Sequence, residues 1–298
     1  MLAPVIIFVY DRLEHTRQTI NALKLNTLAH ETDLFIYSDA AKSPENEQAV
    51  SDIRSYLPSI SGFRSVSIIH RNINFGLAKS IITGVSETLQ KHDRVIVLED
   101  DLVTSPYFLS YMNDGLEMYQ SHPEVASIHG YIYPIEHHDL PDYFFLKGAD
   151  CWGWATWSRA WKNFEADGQT LLEQIQKASD KDDFDFSGSY KYTKMLQDQV
   201  AGRNNSWAIR WYASAFLLGM VTLYPSRSFV HNIGNDGSGT HSEITDHFDA
   251  NISMTYPSLS LIKTEDHTLA RARIIKYFNS TKPNFISRVV RAIKRRLT

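Results

Sequence analysis

The sequence predicts an α/β fold with a mixed, mostly parallel central sheet flanked by helices. Three observations carry this reading. Short β-branched runs alternate with amphipathic stretches through the first hundred residues, each run closes on polar residues, and neither an internal repeat nor a clear linker divides the chain. Alternation of this kind builds parallel, doubly wound sheets, which hold ligands beyond the carboxyl ends of their strands.

The elements follow in order. Val5-Ile6-Ile7-Phe8-Val9-Tyr10 is a nearly continuous apolar run, as a strand covered on both faces requires, and it is too short to span a bilayer. A helix is predicted from about His15 to Leu25, with Ile20 and Leu23 turned inward and Thr16 as its cap. Asp33 to Asp39 reads as a second strand, Glu45 to Leu57 as a second helix and Ser65 to His70 as a third strand. Leu77 to Gln90 gives a third helix, and Arg94 to Leu98 a fourth strand. The strands run out at Asp11-Arg12, Ser38-Asp39, His70-Arg71 and Glu99-Asp100-Asp101. Beyond them the pattern loosens. Cys151 to Trp161 is rich in tryptophan, Asp180 to Tyr190 is polar and loop-like, Asn205 to Tyr212 is aromatic, and Gly234 to His241 is a Gly-rich polar loop. A single domain over 1–280, divided near 105, followed by a tail over 281–298, is the simplest organisation.

Composition narrows the class. Hydrophobic residues at 43% and charged residues at 21% fit a soluble globular protein with a full core, and a net charge of −4 argues against nucleic acid as a general partner. One cysteine, Cys151, and no signal-peptide pattern fit a reducing cytoplasm. The stretch from Lys282 to Thr298 holds six basic residues and no acidic ones, with Ile286, Val289, Val290, Ile293 and Leu297 at helical spacing. Such a basic amphipathic helix suits an anionic membrane surface, here the inner face of the plasma membrane, or it docks on the domain with a solvated basic face.

Val95 to Asp101 carries the strongest chemical signal. Three adjacent carboxylates repel one another, and a chain that sets them at the end of a buried strand gains from a shared cation. Mg²⁺ and Mn²⁺ take one or two carboxylates plus phosphate oxygens, and neutralise charge on a departing diphosphate. An acidic turn at a helix start is the plainer alternative. Between a strand and a helix, His70-Arg71-Asn72-Ile73-Asn74-Phe75-Gly76-Leu77-Ala78-Lys79 offers Asn74 and Lys79 to a phosphate, or is an Asn/Gly turn with a solvated lysine. Gly234 to His241 can close over a diphosphate, with Asp236 and His241 as metal or phosphate partners.

Taken together, these blocks resemble the GT-A glycosyltransferases. Val97 to Phe108 is similar to the acidic segment of the N-acetylglucosaminyltransferase I family, as are Val9-Tyr10-Asp11-Arg12, Tyr37-Ser38-Asp39 and Gly153-Trp154. The stretches GWATW, SWAIRWYAS and NIGNDGSGTH resemble bacterial family-2-like transferases of surface-polysaccharide clusters. The resemblance spans about the first 240 residues and is loose outside these blocks. It implies a Rossmann-like GT-A domain with a nucleotide-binding half over 1–105 and an acceptor half over 106–280. It further implies transfer of a hexose or N-acetylhexosamine from a nucleotide-diphosphate donor, UDP above all, with Mn²⁺ or Mg²⁺, to a glycan or lipid-linked acceptor.

By resemblance, Asp101 ligates the metal, Asp100 holds the ribose, and Glu99 meets the sugar or a metal-bound water. Asp39 accepts a base N–H, Arg12 steadies the nucleotide, and Gly153-Trp154 lies near the donor sugar. The general base does not carry over, because Ala208 in Trp207-Ala208-Ile209-Arg210-Trp211 stands where the family has an aspartate. Asp198, Asp150, Asp236 and His241 are the substitutes, and a retaining mechanism without an enzymic base stays open. Two other classes remain: a nucleotidyltransferase, which would want a Gly-rich basic loop after the first strand, and a glycan-binding module without catalysis.

Overall fold

The computed structural model describes residues 2–237 and 245–282. His241 and nearly all of the basic tail therefore lie outside the described residues. The chain runs β1 (Val5–Val9), α1 (Leu13–Lys24), β2 (Asp33–Ser38), α2 (Pro44–Tyr56), β3 (Ser65–His70), α3 (Gly76–Leu89) and β4 (Arg94–Glu99). It continues through β5 (Leu102–Thr104), α4 (Phe108–Met118), β6 (Val125–His129), β7 (Tyr143–Lys147), β8 (Trp154–Trp157), α5 (Ser158–Trp161), α6 (Gly168–Lys177), α7 (Lys181–Phe184) and α8 (Tyr192–Val200). The last elements are α9 (Trp207–Leu217), β9 (Val221–Pro225), β10 (Val230–Asn232) and α10 (Thr268–Thr281).

Eight strands form one sheet in the order β3-β2-β1-β4-β8-β6-β9-β7, and β10 and β5 form a separate ribbon. The first four strands are parallel to one another, whereas β8 and β7 run against their neighbours. This is the expected α/β class, a mostly parallel sheet flanked by helices. Each of the first four strands is where the residue pattern puts it, to within a residue. β1 and β4 are buried on both faces, which demands an unbroken apolar run, whereas the edge strand β3 is partly exposed. Thr16 does not cap α1. It is buried, and its hydroxyl donates back to the Arg12 carbonyl at 2.9 Å.

Strand order locates the ligand edge. The chain steps outward from β1 to β2 and β3, then crosses back to place β4 on the other side of β1. That reversal leaves a crevice beyond the carboxyl ends of β1 and β4, where open α/β sheets bind ligands. Because β8 is antiparallel, it starts at this same edge, with Trp154 opposite Val97 of β4 and His129 of β6. The ribbon completes the arrangement. Asn232 of β10 pairs with Leu102, and the Ile233 N–H donates to the Asp101 carbonyl at 2.9 Å.

Two apolar clusters support the sheet. The larger lies around β1, β4 and β6, and the smaller lies under α6, α9 and α10. Among the described residues no helix is long and apolar enough to cross a membrane.

Candidate active site

β4 delivers Glu99, Asp100 and Asp101 to the crevice, and the turn after β1 delivers Arg12 opposite them. One Arg12 nitrogen bonds to an Asp100 oxygen and also to Asp101 Oδ2 at 2.8 Å. Asp100 is nearly inaccessible at 5% exposure, and the Thr19 hydroxyl anchors its backbone carbonyl at 2.8 Å. Its carboxylate faces the guanidinium rather than solvent, so the ribose contact suggested by the resemblance is not what its surroundings offer. Glu99 is half-buried, and among the described residues its carboxylate has no hydrogen-bond or ion-pair partner. Burial, reinforced by the Asp101 and Asp100 charges, raises the Glu99 pKa well above the usual carboxylate range. Burial and Asp101 likewise raise that of Asp100, against the pull of Arg12. The Arg12 guanidinium loses solvation, yet the two carboxylates leave it more firmly protonated than a free arginine.

The described part of the Gly-rich loop closes against this group. A Cβ added to Gly234 would lie 2.2 Å from Asp101 Oδ2 and 3.0 Å from Arg12 Nη1, so only a glycine lets the backbone come this close. Asp236 reaches His15 Nε2 on α1 at 3.2 Å. Gly234 thus lies against Arg12 and Asp101, and Asp236 lies against His15.

Asp39 has a different job from the base contact implied by resemblance. Its carboxylate accepts the N–H groups of Phe75 at 2.9 Å and Gly76 at 2.8 Å, its own neighbour Ala40 at 2.9 Å, and the Ser80 hydroxyl at 3.4 Å. These bonds use its lone pairs and cap α3 from the end of β2. They also occupy the Phe75 and Gly76 amides at the start of α3. Asn74 holds the Ala40 carbonyl at 2.7 Å, and the exposed Lys79 lies over the Phe75 ring at 4.2 Å. Both serve the turn.

Gly153 and Trp154 are likewise structural. Gly153 has φ +62°, its carbonyl accepts the Gly130 N–H at 2.6 Å, and a Cβ there would strike Val230 at 2.6 Å. Trp154 is 1% exposed and packs on Trp207 at 5.3 Å, Trp161 at 5.6 Å and Trp211 at 6.2 Å between ring centres. It cannot stack on a donor sugar. The half-buried Trp152, two residues earlier, lies edge-on to Tyr131 and Phe248.

Among the suggested bases, Asp198 is removed by its surroundings. It lies on α8, paired with Lys194 and Arg203, which hold its carboxyl below the usual range and leave it a poor proton acceptor. Asp150 sits in a polar aromatic nest instead. Its Oδ1 accepts the Cys151 N–H at 2.8 Å, and its Oδ2 faces the hydroxyls of Tyr133 at 3.3 Å and Tyr224 at 3.4 Å. Tyr192 joins through Tyr133 at 3.2 Å. Cys151 links the two regions. Burial first, then the charges of Asp150, Glu99 and Asp101, push its thiol well above the ordinary value. Sequence reasoning missed the tyrosines, although Tyr131 and Tyr133 follow the end of β6 just as Arg12 follows the end of β1.

Among the described residues, no three His, Cys, Asp or Glu side chains gather into a metal cage. The donor set nevertheless suits a hard cation that takes few protein ligands and completes its shell with phosphate oxygens. Arg12 already stands as one positive charge among three carboxylates, and the glycine at 234 leaves the space beside Asp101 Oδ2 that a Cβ would fill.

Fold and site together define a class, a doubly wound α/β domain with an acidic ligand edge at its switch point. No protein-family model and no curated protein matches the chain. Among solved structures it is similar to a mannosyltransferase from Pyrobaculum calidifontis in complex with GDP-Man and Mn²⁺. The identity there is 13%, the TM-score 0.32, and the match covers 46% of this chain and 36% of that one. It is also similar to S. aureus TarS 1–349, at 10% identity and TM-score 0.43, over 78% of this chain and 60% of the other. The chain thus spans less than two thirds of the length of either structure. Overlap this partial does not carry an activity across.

Proposed function

We propose that this chain is a GT-A-type glycosyltransferase moving a hexose or N-acetylhexosamine from a nucleotide-diphosphate sugar, with UDP as the carrier. The acceptor is a glycan or a lipid-linked sugar of a cell-surface polysaccharide. One observation carries the reading: three consecutive carboxylates at the switch point of a parallel sheet, against one guanidinium and a glycine backbone.

Asp101, with Glu99 beside it, would hold Mn²⁺ or Mg²⁺, which when bound supplies Lewis-acid neutralisation of the diphosphate. The rest falls to the protein. Arg12 holds Asp100 in place beside the metal-binding carboxylates. The loop from Gly234 brings backbone close to the acidic run, with His241, outside the described residues, as a further metal or phosphate partner. Asp39 and Asn74 fix the turn that bounds the nucleotide side. Trp152 offers a face to a sugar ring. Asp150, oriented by Tyr133 and Tyr224, takes the proton from the acceptor hydroxyl. The basic tail over 282–298 would hold the enzyme at an anionic membrane, and a chain cut at 281 should lose sedimentation with anionic liposomes.

Calorimetric titration with UDP, GDP and dTDP, each with and without Mn²⁺, tests the proposal. One nucleotide should bind only with metal, and Asp101→Asn should abolish that binding. Failure of all three nucleotides to bind would remove the donor reading.

A further inference from the structure

The acidic run has a resident counter-ion. A single Arg12 nitrogen bridges Asp100 and Asp101, and the Asp101 oxygen it uses, Oδ2, is the one that faces the Gly234 backbone. That oxygen lies in a narrow space: on one side the guanidinium, on the other a backbone with no room for a Cβ. A guanidinium bonded there and a divalent ion bound to the same oxygen exclude each other, both by contact distance and by like charge.

We infer that Arg12 is a positioning residue that competes with the divalent cation for Asp101, and that loading the cation releases the guanidinium from Asp101 toward the donor diphosphate while its bond to Asp100 persists. This deepens the metal reading above and rests on it. Arg12 is suited to the exchange. Its bridge to two neighbouring carboxylates allows one bond to break while the other holds the side chain in place, and a freed fork of N–H donors matches phosphate oxygens. Asp100 is the permanent partner because it is buried, and Asp101 is the exchangeable one because it is partly open.

The test is Mn²⁺ binding without nucleotide, read from the electron paramagnetic resonance signal of the free ion. Wild type is compared with Arg12→Gln, Asp101→Asn and, as a charge control on the helix that follows Arg12, Arg17→Gln. Because Arg12→Gln leaves Asp100 buried and unpaired, the double variant Arg12→Gln/Asp100→Asn is included to keep a folded protein. Competition predicts affinity higher by about tenfold in the Arg12 variants, a change below about twofold in Arg17→Gln, and loss of binding in Asp101→Asn. Equal affinity in wild type and both Arg12 variants, with binding still lost in Asp101→Asn, would overturn the competition and leave the metal site standing. Absence of Mn²⁺ binding in every protein, including with UDP present, would overturn the metal reading and the competition with it.

Discussion

At the switch point one guanidinium pairs with Asp100 and Asp101, next to Glu99, whereas Asp150 faces the hydroxyls of Tyr133 and Tyr224 and a backbone amide. Both regions are built around aspartate, and the charges of both act on the buried Cys151 thiol. The difference lies in the partners. A carboxylate held by a cation can trade that cation for another, which suits binding of metal and diphosphate. A carboxylate held by neutral hydroxyls is oriented without being neutralised, which suits contact with a neutral acceptor. The residue type is the same in each place, and its neighbours assign the task.

Four experiments break or sharpen this contrast. The largest effect is expected from the aspartates themselves. Asp150→Asn should cut turnover by about a thousandfold while nucleotide affinity stays within about twofold, whereas Asp101→Asn should remove nucleotide affinity as well. Equal losses of nucleotide binding in both variants would erase the division. Next come the tryptophans. Trp154→Ala should cost about 3–5 kcal/mol in denaturant unfolding, because it empties the centre of a four-tryptophan cluster, and Trp152→Ala should leave stability nearly unchanged while raising the acceptor KM. Gly234→Ala should reduce turnover by about a hundredfold with little change in unfolding temperature, since the added methyl displaces Asp101 and Arg12.

The smallest effect calibrates the rest. Asp33 at the outer edge pairs with Arg64 and accepts the Ser65 hydroxyl at 2.7 Å, which lowers its pKa to about 2 from 3.8. A depressed carboxylate stabilises the fold above its unfolded pKa, and that contribution is lost as pH falls from about 4 to 2. Asp33→Asn should flatten the acid-side fall in unfolding temperature by roughly 2 °C, which is what a solvent-facing pair is worth.

The first four strands and the acidic triplet are the legible part of the sequence. Parallel strands buried on both faces write themselves as apolar runs, and the acidic triplet closes one of them in plain view. The other half resisted for physical reasons. β8 is Trp-Ala-Thr-Trp, which reads as a motif rather than a strand, and α9 buries nine of its eleven residues and so shows no one-sided stripe. The nest around Asp150 draws on Tyr133 and Tyr224, 17 and 74 residues away, a grouping that only tertiary structure brings together. The resemblance of their blocks to known sites suggests ligand contacts for Asp39 and Trp154, whereas in the structure Asp39 bonds the first amides of α3 and Trp154 is buried in the core.

The crowding of tryptophans has an optical consequence. Five of the six, Trp154, Trp157, Trp161, Trp207 and Trp211, are buried, and Trp152 alone is partly open, beside the site. Emission from the buried five should be blue-shifted and shielded from acrylamide, which leaves Trp152 as the quenchable fraction. Under the proposed function the wild-type chain therefore carries its own reporter for acceptor binding, and a Trp152→Phe protein supplies the dark reference.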